Sequence, residues 1–321
     1  MNNESSKIGL VLGGGGITGA AYQFAVLMAI RMATGWDPGT ADVIVGTSAG
    51  AVVAAMARGD ALTLHSLVGD ADDRTEMTAT LQQRIYPRTR VRGVSRWVRW
   101  GVLPHLRQPG LGLALGSPAI YHTGGVAKWL DDELGELSHS WPTLPTVIVG
   151  YDLEARARVP FGTEAAPDVA LRDAVAASAA VPAVYQPMRI DDRWYVDGGV
   201  ASGTSADLLL ANERPLDLIV VVAPMAAPRA RPGARFYEDV FDKFGREALA
   251  AELAAIRSQW PDTEIVVLRP AAEVLEIMRP NPLSVDNAVP VFRQTLRSLR
   301  HELSRPGTWS ALVRHLPNVK Q

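Results

Sequence analysis

The stretch Val43 to Gly50, Val-Ile-Val-Gly-Thr-Ser-Ala-Gly, restricts what this chain can fold into more than any other. A β-branched run bounded by glycine reads as a buried strand, and the small residues and valines from Ala49 to Ala57 suit a helix lying close on a sheet. A strand that turns at once into a helix belongs with a parallel sheet covered by helices. The turn itself, Gly46-x-Ser48-x-Gly50, projects the serine hydroxyl above the sheet, and its glycines remove Cβ atoms that would strike neighbouring backbone. The helix start beyond it adds unpaired N–H groups and partial positive charge beside any anion that forms there. The same pattern also fits a plain glycine-lined turn whose serine caps a helix. Ser48 is a candidate nucleophile.

A second unit of this kind precedes it. Ile8 to Leu12 reads as a buried strand running into Gly13-Gly14-Gly15-Gly16, with a helix expected from about Thr18 to Met32. Further strands are expected at Thr146–Tyr151, Arg158–Phe161, Leu218–Val222 and Glu264–Leu268, and a strand pair at Met188–Ile190 and Trp194–Val196. Helices are expected near 60–83, 126–134, 169–178, 236–260 and 289–303. Alternating strands and helices predict an α/β protein with helices on both faces of a mainly parallel sheet. No internal repeat or low-complexity linker divides the 321 residues, so one domain is expected over 1–321. Its core covers about 7–223, with a basic lid-like insertion at about 84–116 and a C-terminal helical extension at about 270–321.

Composition narrows the function. A formal net charge of −2 gives no global field for nucleic acid, so none is expected as a partner. The absence of cysteine excludes disulfides, cysteine nucleophiles and thiolate metal sites. The polar start Met1–Ser6 lacks the basic and apolar regions of a Sec signal peptide. No stretch reads as an uncharged apolar span long enough for a bilayer. The expected location is cytoplasmic, with peripheral contact at the membrane as an added role.

That role is suggested by residues 84–116. No acidic residue falls between Glu76 and Asp131, whereas Arg84, Arg88, Arg90, Arg92, Arg96, Arg99 and Arg107 do, interleaved with Trp97, Trp100 and valines. On a helix, Val91, Val94, Val98 and Val102 form one stripe beside an arginine face. Such a run is commonly a solvated face. The functional reading is an interfacial lid, in which Arg92, Arg96 and Arg99 meet anionic headgroups while Trp97, Trp100 and Val94 enter the acyl boundary.

A serine nucleophile needs a base and a site for the oxyanion. Main-chain N–H groups of a glycine-rich turn can provide the second. Asp197, in Val196-Asp197-Gly198-Gly199, ends an expected strand and holds a carboxylate on rigid backbone. The histidines are His65, His105, His122, His139, His301 and His315, and none lies in a glycine-flanked turn after a buried strand. His301 and His315 follow the acid in chain order but sit among arginines in an amphipathic segment. This points to a Ser–Asp dyad.

Taken together, Leu12-Gly-Gly-Gly-Gly-Ile-Thr-Gly-Ala20, Gly46-Thr-Ser-Ala-Gly-Ala51 and Asp197-Gly-Gly199 resemble the patatin-like phospholipases. Tyr151-Asp152-Leu153 and Ala177-Ser-Ala-Ala-Val-Pro182 agree as intermediate landmarks, and the resemblance covers about residues 7–223. It implies a three-layer α/β/α fold and a serine lipid acyl hydrolase. Ser48 would be the nucleophile, Asp197 the base, and the N–H groups of Gly14, Gly15 and Gly16 the oxyanion donors, with Gly46, Gly50, Gly198 and Gly199 supporting the motifs. Such chemistry requires no metal and no organic cofactor; its substrate is an acyl lipid or ester. Two departures stand out. Thr18 occupies the position where the family commonly carries arginine or lysine, which weakens the case for phospholipid as against a neutral ester, with phospholipids or other acyl lipids both kept as substrates. Ala201-Ser-Gly-Thr204 replaces the family's usual asparagine and proline.

Two other readings compete. Gly14, Gly16 and Gly19 fit Gly-x-Gly-x-x-Gly after a strand, the fingerprint of a dinucleotide-binding protein, with Asp37 or Asp42 near the ribose distance. A non-catalytic lipid-binding relative of the same fold is the other.

Overall fold

The computed structural model describes residues 6–63, 74–106, 111–228 and 236–316. Its centre is an eight-stranded sheet in the order β5-β6-β3-β2-β1-β7-β8, with β4 paired to β3 outside this path. The strands are β1 (Ile8–Leu12), β2 (Val43–Thr47), β3 (Thr146–Asp152), β4 (Ala157–Phe161), β5 (Met188–Ile190), β6 (Arg193–Asp197), β7 (Leu218–Val222) and β8 (Glu264–Leu268). Strands β3, β2, β1, β7 and β8 are mutually parallel, whereas β4 and β6 run antiparallel to β3. The parallel strands are apolar on both faces because helices cover both sides. Leu10, Leu12, Ile44 and Ile148 enter one buried cluster, and Val11, Val45, Val149 and Val221 enter another.

Helices α1 (Gly16–Thr34) and α2 (Ala49–Arg58) follow β1 and β2 directly. They are joined by α3 (Arg74–Ile85), α4 (Gly124–Leu134), α5 (Leu171–Ser178), α6 (Phe236–Gln259), α7 (Ala272–Met278), α8 (Ala288–Leu303) and α9 (Pro306–His315). The first cluster runs from Ile8 to Leu316 and unites α1 and α2 with α8 and α9, so the C-terminal helices are part of the core. By length and composition alone α1 passes as apolar enough to cross a membrane, although Arg31 interrupts its uncharged run. It packs instead in the core, with Phe24, Val26, Leu27 and Ile30 fully buried.

Strand register brings two distant parts of the chain together. Strand β4 covers Ile148 to Asp152 along one edge of β3, so β2 and β6 must share the other. Strand β2 ends with Thr47 opposite Val149, and β6, running the other way, ends with Asp197 opposite Gly150. The two strands therefore stop head to head on consecutive residues of β3.

Candidate active site

Ser48 follows β2 at this meeting point. Its backbone has φ 56° and ψ −120°, a strained conformation for a residue with a Cβ. The glycines around it answer to space. A Cβ on Gly46 would lie 2.6 Å from the Gly50 carbonyl, and one on Gly50 would overlap the Leu12 carbonyl, so α2 crosses directly over the end of β1. The strained turn is tethered by α5. The Ser48 N–H donates to Ser178 Oγ at 2.9 Å, and the Ser178 hydroxyl donates to the Val149 carbonyl at 2.6 Å.

Asp197 is buried, its carboxylate accepts the Gly199 N–H at 2.7 Å, and the Ser48 side chain lies near enough to favour its ionised form. Loss of solvent raises the Asp197 pKa to about 6, against the opposing effect of nearby Ser48 and the Gly199 N–H. Its own N–H donates to the Ala180 carbonyl at 3.1 Å. A Cβ on Gly198 would overlap the Val149 carbonyl, which explains the glycine after the acid. The stretch Ser178 to Ala180 therefore holds both partners, Ser48 through a side chain and Asp197 through a carbonyl. Sequence reading had it only as a landmark; a buried serine among alanines at a helix end was the available signal.

The glycine loop lies alongside. A Cβ on Gly14 would sit 3.4 Å from Ser48 Cβ and 3.9 Å from its Oγ. The loop is anchored at several points. The Gly13 N–H donates to the Val222 carbonyl at 2.9 Å, and the buried Gln23 amide donates to the Gly13 and Gly19 carbonyls at 2.9 and 3.2 Å. The Gly14 N–H donates to the Gly203 carbonyl at 2.7 Å. That bond removes Gly14 from the donors expected of the loop, because its hydrogen is already engaged. Gly16 has φ 61° and opens α1, where first-turn N–H groups lack intrahelical acceptors. Thr18, at the position of the family's basic residue, is buried and gives both its N–H (3.0 Å) and its hydroxyl (3.2 Å) to the Pro282 carbonyl. It fastens the segment ahead of α8 to α1.

In front of Ser48 opens a cleft of about 690 Å³, counting the part open to solvent. Ile17, Ala20, Val52, Ile85, Trp129 and Tyr185 give it an almost wholly apolar wall, which Leu283 and Ala288 complete. None of the described histidines hydrogen-bonds Ser48 or Asp197. His105 bonds the Gly101 carbonyl, His122 accepts from the Gly124 N–H, His139 faces Asp131, and His315 lies between Ser6 and Glu264. His65 falls outside the described residues, as does Arg107.

The dinucleotide reading fails on its acids. Asp42 accepts from the Ile8 N–H and Lys7 at the start of β1, the end of the sheet opposite the glycine loop. Asp37 caps a turn through the Gly39 N–H. Neither is available to a ribose.

The arginine-rich segment is helical from Val94 to His105, with a π-helical turn at Val98–Val102. Its faces match the expectation only in part. Trp100 is buried against Leu115, Leu153 and Val196, and Trp97 donates its indole N–H to the Leu113 carbonyl at 2.7 Å. The Arg96 guanidinium stacks 4.4 Å from the Trp194 ring. These three side chains are turned inward and are not free to meet a bilayer. Arg92, Val94 and Arg99 remain exposed, together with Val91, Leu103 and Leu106. Arg99 is paired only loosely, 3.8 Å from Glu154.

A three-layer α/β/α sheet protein with a strained serine at a strand-to-helix turn is the class these features define. The family model for patatin-like phospholipase matches residues 10–210, and the chain belongs to that family of lipid acyl hydrolase enzymes. Among solved structures it is similar to VipD from Legionella pneumophila, at 12% identity and a TM-score of 0.33, over 92% of this chain and 67% of that one. No curated protein matches it.

Proposed function

We propose that this enzyme cleaves carboxylic esters of acyl lipids with Ser48 as nucleophile and Asp197 as its base. The carrying observation is the strand register that ends β2 and β6 head to head, bringing Ser48 beside a buried carboxylate whose pKa is pushed up to about 6. A raised pKa makes the aspartate a better proton acceptor, yet leaves it mostly ionised at neutral pH. Ser48 Oγ attacks the ester carbonyl as its proton passes to Asp197. The N–H groups of Gly15 and Gly16 face the oxyanion, each such donor being worth about 3 kcal/mol in enzymes that use one. The alcohol leaves with the proton from Asp197, and water, deprotonated by the same carboxylate, releases the fatty acid from Ser48. The apolar cleft receives the acyl chain, since a wall of this kind offers a lipid tail contact but no hydrogen bonds.

The segment 84–116 is read as a cover beside the cleft that also touches anionic membrane. Val91, Val94, Leu103 and Leu106 would enter the interface, and Arg92 and Arg99 would meet headgroups at about 1 kcal/mol each. Val94→Asp with Leu103→Asp should weaken binding to phosphatidylglycerol vesicles and leave turnover of a soluble short-chain ester unchanged. Equal loss of both would speak against the membrane role.

The central test is a panel of acyl esters and phospholipids together with a fluorophosphonate probe. Wild type should label and hydrolyse. Ser48→Ala should do neither, and Asp197→Asn should lose hydrolysis. Labelling of Ser48→Ala at the wild-type rate would refute the assignment.

A further inference from the structure

Glu252 lies on α6, far along the chain from every residue of the proposed machinery, and is 7% exposed. Its carboxylate accepts three hydrogen bonds, all from one turn: the Ser202 hydroxyl, the Thr204 hydroxyl at 2.6 Å and the Ala206 N–H at 2.9 Å. No arginine or lysine among the described residues hydrogen-bonds it; Arg158, paired with Asp207, acts on it only at a distance. Ser202 Oγ in turn accepts the N–H groups of Thr204 and Ser205 at 3.2 and 3.1 Å. The turn is thus wound around the carboxylate, with Ser205 held at φ 54°.

The other side of that turn carries the Gly203 carbonyl, and this is the acceptor of the Gly14 N–H at 2.7 Å. Contact there is close: a Cβ on Gly13 would lie 3.0 Å from the Gly203 oxygen and 3.2 Å from Thr204 Cγ2. The same turn reaches back to the acid, since the Ser202 N–H donates to the Gly198 carbonyl at 3.2 Å. One carboxylate therefore fixes a piece of backbone that touches both the glycine loop and the Asp197 turn. Anchoring the Gly13–Gly14 peptide plane places the Gly14 Cα, the point from which the Gly15 amide departs.

We propose that Glu252 is a positioning residue that sets the glycine loop in register for the oxyanion, acting through Ser202, Thr204 and the Gly203 carbonyl. The residues at 201–204 that depart from the family pattern supply the hydroxyls this arrangement uses. The inference rests on the reading of Ser48 and the loop as a hydrolytic site.

The test compares Glu252→Gln and Thr204→Val with wild type on a soluble p-nitrophenyl ester. It also measures inhibition by an alkyl trifluoromethyl ketone, whose serine adduct places a negative oxygen in the loop, and binding of the matching fatty acid. A slipped loop costs on the order of a hundredfold when a reacting geometry moves by about 1 Å. Glu252→Gln should lower kcat about ten- to a hundredfold with KM within about twofold. Its ketone Ki should rise by the factor that kcat/KM falls, while fatty-acid affinity holds. Thr204→Val, which keeps the carboxylate, should show the same split at about threefold, and it decides the matter if the Gln variant fails to fold. Ketone and fatty-acid affinities that fall together, or variants matching wild type, would overturn the role of Glu252. A wild type that the ketone does not inhibit would instead overturn the serine mechanism.

Discussion

Asp197 faces two opposing demands, and pH separates them. As the proposed base it must be ionised, so kcat/KM on a soluble ester should fall on the acid side with a midpoint near pH 6, the value to which burial raises its pKa. For stability the sign is opposite. The folded chain binds the proton more tightly than the unfolded chain, whose carboxylate keeps its ordinary value of 3.8. The stabilisation from the protonated form is present below that value and is lost as pH rises to about 6. Above it, the ionised group costs roughly 3 kcal/mol. Asp197→Asn, which carries no charge to bury, should therefore melt higher than wild type at pH 7, and the gap should close towards pH 4. A gap independent of pH would show that the aspartate is not the strained group. Both residues of the pair were legible in the sequence because glycines mark them: Gly46 and Gly50 around the serine, Gly198 and Gly199 after the acid. The commitment of the Gly14 N–H was not, since its acceptor, Gly203, lies far along the chain and no local pattern announces that contact.

At the scale of elements, the turn after β2 relies on α5. Ser178→Ala would leave the Ser48 N–H and the Val149 carbonyl buried with one partner fewer each, at a cost of about 1–3 kcal/mol. Because the N–H belongs to the strained residue itself, kcat should fall as well, by about tenfold or more, which steady-state kinetics beside a thermal melt would show. A variant less stable yet fully active would reduce Ser178 to a packing role. Strands and long helices were readable from β-branched runs and helical spacing, and β1, β2, β7 and β8 fall where the pattern put them. The antiparallel course of β6 was readable only in part. The pairing with β5 follows from the tight turn at Asp191-Asp192, but its pairing with β3 is a long-range contact. The arginine segment shows the limit of periodicity most plainly. Spacing put its valines on one stripe, yet it could not tell which stripe faces inward; Trp194, Leu153 and Val196 decide that by offering a surface for Trp100 and Arg96.

Across the whole molecule, the apolar cleft gathers residues from α1, α2, the end of α3, α4 and the start of α8. Its width should set chain-length preference. Val52→Phe fills the apolar wall without touching Ser48 or Asp197, so it should lower kcat/KM for long acyl chains about tenfold or more and spare acetyl esters. A uniform change across chain lengths would indicate that the tail lies elsewhere. The far wall comes from Leu283 and Ala288, beyond the span matched by the family model, and Thr18 locks that wall to α1 through the Pro282 carbonyl. Synthesis of the protein therefore makes the candidate nucleophile early and the far wall of its cleft late. A nascent chain that ends at β8 has both members of the proposed pair, yet its cleft stands open on one side until the last helices close it.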